Sequence, residues 1–138
     1  MQSNSKHNLV NIEQAAGFPI LNAKVIQSIF DLGDREFAEN LISQYLKKAK
    51  DICHQIQEFI KKKKTSEIYA LANELRDSSL YIGTERVVVI STFIYKHAKK
   101  RNIPPLKNAG ILLAEVLKES EKALNLIIKE RSETKVGK

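Results

Sequence analysis

Five residues in the segment YALANELRDSSL combine polar chemistry with helical spacing: Tyr69, Asn73, Arg76, Asp77 and Leu80. Neighbours three or four apart share one side of a helix, so these five form a stripe. An amide, a guanidinium and a carboxylate sit at its centre. Asn73 is no nucleophile, because the lone pair of its amide nitrogen is delocalised. Tyr69 and Leu80 flank the polar groups and make the stripe a candidate docking patch. Single apolar residues on a solvated face are common, so an inert surface stands beside that reading.

The remaining reactive residues are scattered. His7, His54 and His97 lie too far apart in sequence to suggest a metal site, and each reads as a solvent-facing side chain. Cys53 falls in a helical apolar pattern and is expected to be a buried, inert thiol. A lone cysteine excludes an internal disulfide and a cysteine-rich zinc site, and favours an intracellular, cytoplasmic setting. There is no glycine-rich phosphate loop, nucleophile elbow or pair of catalytic carboxylates. The chain reads as a non-enzyme without cofactor or metal.

Charge points outward to partners. Lys and Arg number 23 against 16 Asp and Glu, a formal +7 that favours nucleic acid, anionic membranes or an acidic protein pocket. The run Lys61 to Lys64 reads first as a solvated helix end, where cations meet the partial negative charge of the terminus. No aromatic residue is interleaved to stack on bases. No run reaches the roughly 18 apolar residues of a membrane span, and the polar start MQSNSKHN lacks the core of a signal peptide.

The elements that must carry the stripe are helical. With 43% hydrophobic and 28% charged residues, five Gly and three Pro in 138 residues, the chain has the composition of one compact helical domain. Residues 1–18 read as a flexible leader, 19–131 as the bundle and 132–138 as a flexible tail. Asn22 caps a short helix that stops at Asp31-Leu32-Gly33. Asp34 opens a long one to about Lys62, with Phe37, Leu41, Tyr45, Ile52, Ile56 and Phe59 on its apolar face. The third runs from Ser66, its expected cap, to Ile82, with Gly83 as the stop. Its core side carries Ile68, Leu71, Ala72, Leu75, Ser78, Ser79 and Ile82. A fourth spans Thr84 to about Lys100, burying Val87, Ile90, Ile94 and Ala98. Ile103-Pro104-Pro105 then forces a turn. The last helix carries Leu113, Val116, Leu117, Leu124, Ile127 and Ile128. Short connections between four long amphipathic helices predict an all-α, antiparallel up-and-down four-helix bundle with a short additional N-terminal helix.

The third helix resembles the histidine-containing phosphotransfer (HPt) domains of bacterial-type phosphorelays. Their signature runs approximately Ala-His-x-Leu-Lys-Gly-Ser-Ser-x-x-Ile/Leu-Gly, matched here at Ala72, Leu75, Ser78, Ser79, Ile82 and Gly83, with Arg76 for the lysine. The upstream LGDREFAENLISQYLKKA is similar to the family's Leu-Gly-Gly-x-x-Phe segment, and the likeness covers about residues 19–130. Two departures fall on the chemistry. Asn73 stands at the phosphorylated histidine, whose neutral imidazole nitrogen offers the lone pair that attacks phosphorus. Asp77 stands at a glycine, placing a carboxylate one turn away where it repels a phosphoryl group and an acidic receiver pocket, an effect that Arg76 partly offsets.

The resemblance implies a non-catalytic HPt-like module, a monomer with no membrane association, that docks a receiver domain, a histidine kinase or a divergent partner through the stripe. A second reading is a basic helical nucleic-acid-binding protein using Lys47, Lys48, Lys50, Lys61 to Lys64 and Lys96 to Arg101. A third is an active phosphotransfer protein that uses another histidine.

Overall fold

A computed structural model describes residues 15–136, with side chains through residue 131. The described residues are all-helical, without a strand. A helical turn at residues 15–17 precedes five helices: α1 (Ala23–Leu32), α2 (Arg35–Lys61), α3 (Thr65–Ile82), α4 (Glu85–Lys99) and α5 (Pro104–Val136).

Each helix starts and stops for a local reason. Asn22 Oδ1 accepts from the amides of Lys24 and Val25, and Asp34 Oδ1 accepts from that of Phe37, so α1 and α2 open on the side-chain caps expected of them. Gly83 closes α3 at φ 96°, in the left-handed region that favours glycine. Pro104 opens α5, where its missing N–H costs nothing. The cap expected at Ser66 is corrected: α3 begins at Thr65 and its N-cap is Lys64, which makes no side-chain capping bond. The α2–α3 turn is too tight to delay the helix. Gly33 ends α1 in extended conformation rather than left-handed, and the ring of Phe37 lies against it.

Four helices form a closed ring of neighbours, α2 against α3, α3 against α4, α4 against α5 and α5 against α2, while α1 packs on α2 and α3. Ile42, Ile56, Ile68, Leu75, Ile90, Ile94, Leu113 and Leu124 fill the centre and are fully buried. All four expected core residues of α4 are buried. The apolar seam of α2 lies one position round from the expected one. Its buried residues include Ala38, Ile42, Leu46, Ala49, Cys53 and Ile60 beside Tyr45, Ile52 and Ile56, whereas Leu41 and Phe59 are half-buried and Phe37 is 45% exposed. Small residues on that seam let two neighbouring helices approach α2, which is why alanines displace the larger side chains.

Both ends differ from the expected boundaries. Ala15 is buried, and Arg86 donates to the carbonyls of Ala16 and Phe18, so the packed unit begins before Pro19. The rest of the expected leader, with His7, lies outside the described residues. α5 runs on through Val136, past the expected stop at Ser132. Among the described residues no helix is long and apolar enough to cross a membrane.

Candidate functional site

The stripe is positioned by the opposite side of α3. Ile68, Ala72, Leu75, Ser79 and Ile82 are buried at alternating spacings of four and three, which fixes the rotation of the helix and turns residues 69, 73, 76, 77 and 80 away from the core. Rotation is fixed further by a hydroxyl cluster. Tyr45 of α2 reaches Ser79 Oγ and Thr84 Oγ1, each at 2.7 Å, and all three residues are buried. Burial pushes the Tyr45 phenol above its usual value of 10.0, against the smaller downward pull of its two hydrogen bonds. Ser79 thus admits the Tyr45 hydroxyl, whereas Ser78, half-buried, turns back to the carbonyls of Glu74 and Leu75.

The stripe itself divides into a braced part and a free part. Tyr69 meets Tyr95 of α4 edge to face at 5.8 Å, and the Arg76 guanidinium lies 4.7 Å from the centroid of the same ring. Arg76 Nε and Nη2 both donate to Asp77 Oδ1, at 3.3 and 3.1 Å. The hydrogen bond to Asp77 holds the Arg76 guanidinium above its usual range, so it remains a cation at every accessible pH. Tyr69, Asn73 and Arg76 are half-buried, a correction to the fully wet face expected of them. Tyr95 is the reason, and it was not among the residues singled out in the sequence. Its ring sits on the neighbouring helix, one turn before the end of α4.

Asn73 lies between these groups, and its carboxamide makes no side-chain hydrogen bond to another described residue. On one flank Glu74 pairs with Lys48 of α2 at 2.6 Å. On the other, Leu80 is 56% exposed beside Tyr81 at 61%, an apolar pair next to the exposed Asp77 carboxylate. The site therefore offers one unengaged amide, an internally neutralised Arg–Asp pair and an apolar edge. It can bind a surface. None of its five residues is a histidine.

The other sequence candidates are not drawn to this face. His54 is exposed on α2, where it borders a groove against α5 with Lys50, Cys53 and Glu121. His97 of α4 is half-buried rather than solvent-facing: its ring packs against Phe93 at 4.2 Å, tilted by 46°, and Nδ1 lies 3.2 Å from Asn102 Nδ2. Cys53 is buried, which pushes its thiol up and leaves little thiolate. Among the described residues no three His, Cys, Asp or Glu side chains gather as a metal site would require. Of the basic groups, Lys48 and Lys50 are paired across helices with Glu74 and Glu121, while Lys61 to Lys64 and Lys96 to Arg101 span the last turns of α2 and α4 and the connections that follow them. No protein family, no curated protein and no solved structure matches this chain.

Proposed function

We propose that this chain is a non-catalytic, HPt-like antiparallel four-helix bundle that serves as a docking module in phosphorelay-type signalling. Its working face is the α3 stripe, and its partner class is a receiver domain, a histidine kinase or a divergent relative of either. The observation that carries this reading is Asn73: an unengaged amide stands at the centre of the α3 stripe, where the resembled family has an imidazole. The Arg76–Asp77 pair supports it, because an internally neutralised pair lets an acidic partner surface approach without facing a bare carboxylate. Leu80 and Tyr81 supply exposed apolar area at the edge, as interface anchors do. A monomer in the cytoplasm, competing with or scaffolding a relay, fits this role.

The test has two arms. Incubation with a phosphorylated receiver, or with an autophosphorylating kinase and labelled ATP, leaves the protein unlabelled; stoichiometric acid-labile phosphate on His54 or His97 would overturn the non-catalytic reading. In the second arm Leu80→Ala weakens partner binding by about 1 kcal/mol or more, as truncation of an apolar anchor does, with the helical spectrum unchanged. Leu80 is the better probe than Tyr69, since loss of Tyr69 also removes the brace behind Arg76 and Tyr95. Equal affinity of Leu80→Ala and the unaltered chain would move the interface off α3.

A further inference from the structure

The positive charge of this protein is concentrated at one pole. α2 passes to α3 through Lys62–Lys64, and α4 passes to α5 through residues 100–103. These turns lie side by side: Gln57 Nε2, near the end of α2, donates to Gly110 O in the second turn of α5 at 3.2 Å, and Ile60, Lys61, Lys107 and Ile111 border one cleft. Residues 58–67 and 96–107 make up this end. They hold nine cations, from Lys61 to Lys64, Lys96, Lys99 to Arg101 and Lys107, against Glu58 and Glu67. Nine against two leaves seven positive charges, the whole of the formal +7, so the other fourteen cations and fourteen acids of the chain cancel.

Ion pairs are denser away from the pole. Away from the pole, Arg35, Lys48, Lys50, Arg76 and Arg86 each hold a carboxylate. At the pole the pair recorded is Lys61 with Glu58, at 3.4 Å and largely exposed. Backbone geometry adds a second sign. Lys63 and Arg101 occupy the left-handed region at φ 57° and 58°. Each closes its helix with the bond pattern that glycine usually serves: Lys63 N to Ile60 O with Lys64 N to Phe59 O, and Arg101 N to Ala98 O with Asn102 N to His97 O. Glycine does serve it at Gly83, at the other end of α3. The two polar turns thus keep cations where a glycine would relieve strain.

The chemistry of the pole selects its ligand. Eight of its nine cations are Lys, hydrated point charges suited to phosphate oxygens rather than to the paired contacts that read base edges. No exposed aromatic stands in either turn to stack on unpaired bases, and no exposed apolar wedge to enter a bilayer; of the large exposed hydrophobics only Ile111 borders the region. The first turn of α3 has no side-chain cap, and it follows directly on Lys61 to Lys64. We propose that this pole docks the phosphate backbone of double-stranded nucleic acid, without sequence preference. With helix axes about 8–10 Å apart, a four-helix end is roughly 20 Å wide and covers about six base pairs. That is a second activity, separate from the α3 face and independent of it.

Fluorescence anisotropy of a 20-base-pair duplex, in two unrelated sequences, across a salt series with the full chain tests this. The expected result is equal affinity for the two sequences and a log–log salt slope of about −4 to −5, since each phosphate contact contributes about −0.9. Lys63→Gly with Arg101→Gly removes two polar charges while relieving both left-handed positions. That variant melts no lower than the parent, and its salt slope shrinks by about 2. Lys24→Gln with Lys122→Gln removes the same net charge elsewhere, leaves the slope unchanged and keeps the affinity within about twofold. Equal losses in the two double variants would mean diffuse attraction and overturn the proposal. Absence of duplex binding at low salt, or tighter binding to phosphatidylserine-containing vesicles at the same salt, would overturn it as well.

Discussion

Tyr45 shows how one side chain orients the site from outside it. Its hydroxyl joins α2 to Ser79 and Thr84, the last turn of α3 and the residue that leads into α4. Tyr45→Phe leaves two buried hydroxyls without this partner and is expected to cost about 1–2 kcal/mol in urea unfolding. The pH dependence follows from the raised pKa of the buried phenol. The phenol is favoured neutral in the folded state, so its contribution is complete below the usual value of 10.0 and is lost as pH rises through the higher folded value. The stability gap between parent and Tyr45→Phe should therefore narrow above pH 10. Cys53, likewise pushed up by burial, weakens both proteins at high pH and drops out of the difference. A gap independent of pH would remove Tyr45 from this role. In sequence Tyr45 was legible as a core residue, but not as a hub, because Ser79 and Thr84 are 34 and 39 residues away.

Between elements, the α3–α4 turn is the most constrained connection. Gly83 accepts from Asn22 N at 2.8 Å, and Asn22 Nδ2 donates to Glu85 Oε1 at 2.9 Å, so α1 is clamped onto this turn. A Cβ on Gly83 would stand 3.0 Å from Val25 Cβ and 3.4 Å from Asn22 O, in a left-handed backbone. Gly83→Ala is expected to cost about 1–3 kcal/mol and to loosen α1 first, readable as faster amide exchange at residues 23–32. Gly110→Ala makes the contrast. Its new methyl would crowd the end of the Ile60 side chain, which can turn aside, and would lie in ordinary contact with Gln57 Cγ at 3.9 Å, while helix propensity gains up to about 1 kcal/mol. Equal destabilisation by the two changes would show that φ at Gly83 is not the constraint. Helix ends marked by Asn22, Asp34 and Gly83 could be read from residue type, since each cap bonds within its own few residues. The start of α3 could not, because Lys64 is set there by the closing bonds of α2 and not by a capping side chain.

For the whole molecule the question is whether the scaffold would support the chemistry it lacks. Asn73→His supplies an imidazole nitrogen that can attack a receiver's aspartyl phosphate; the N–P bond forms, the bond to the aspartyl oxygen breaks, and the carboxylate leaves with its electron pair. Asp77 remains at i+4, within about 6 Å between Cβ atoms, and keeps the Arg76 guanidinium engaged and unable to meet phosphate, so this variant alone is expected to gain little or no labelling. Asn73→His with Asp77→Gly removes the charge and frees the Arg76 guanidinium from Asp77 to meet phosphate. Glycine within the helix costs roughly 1 kcal/mol, which the packed ring of four helices should tolerate. We expect the double variant to fold and to take up phosphate weakly from at least one receiver in a panel. A folded but unlabelled double variant would turn the docking proposal away from receivers and towards an unrelated partner.

What the sequence determined by itself is local: helical periodicity, most helix ends, the burial of α4 and of the α3 core side apart from the half-buried Leu71 and Ser78, and the absence of a nucleophile at Asn73. Each rests on residues within a turn or two of one another, where spacing alone decides which side chains share a face. Tertiary structure decided what those faces meet. It moved the α2 seam to its small residues, because two neighbours compete for that side. It placed Tyr95 behind Tyr69 and Arg76, making half of an apparently wet stripe a braced one. It also brought two lysine-rich turns, 35 residues and more apart along the chain, to a single pole that carries the full net charge. Electrostatic fields add through space and not along sequence, so only the packing of α2 against α5 could turn two solvated helix ends into one surface.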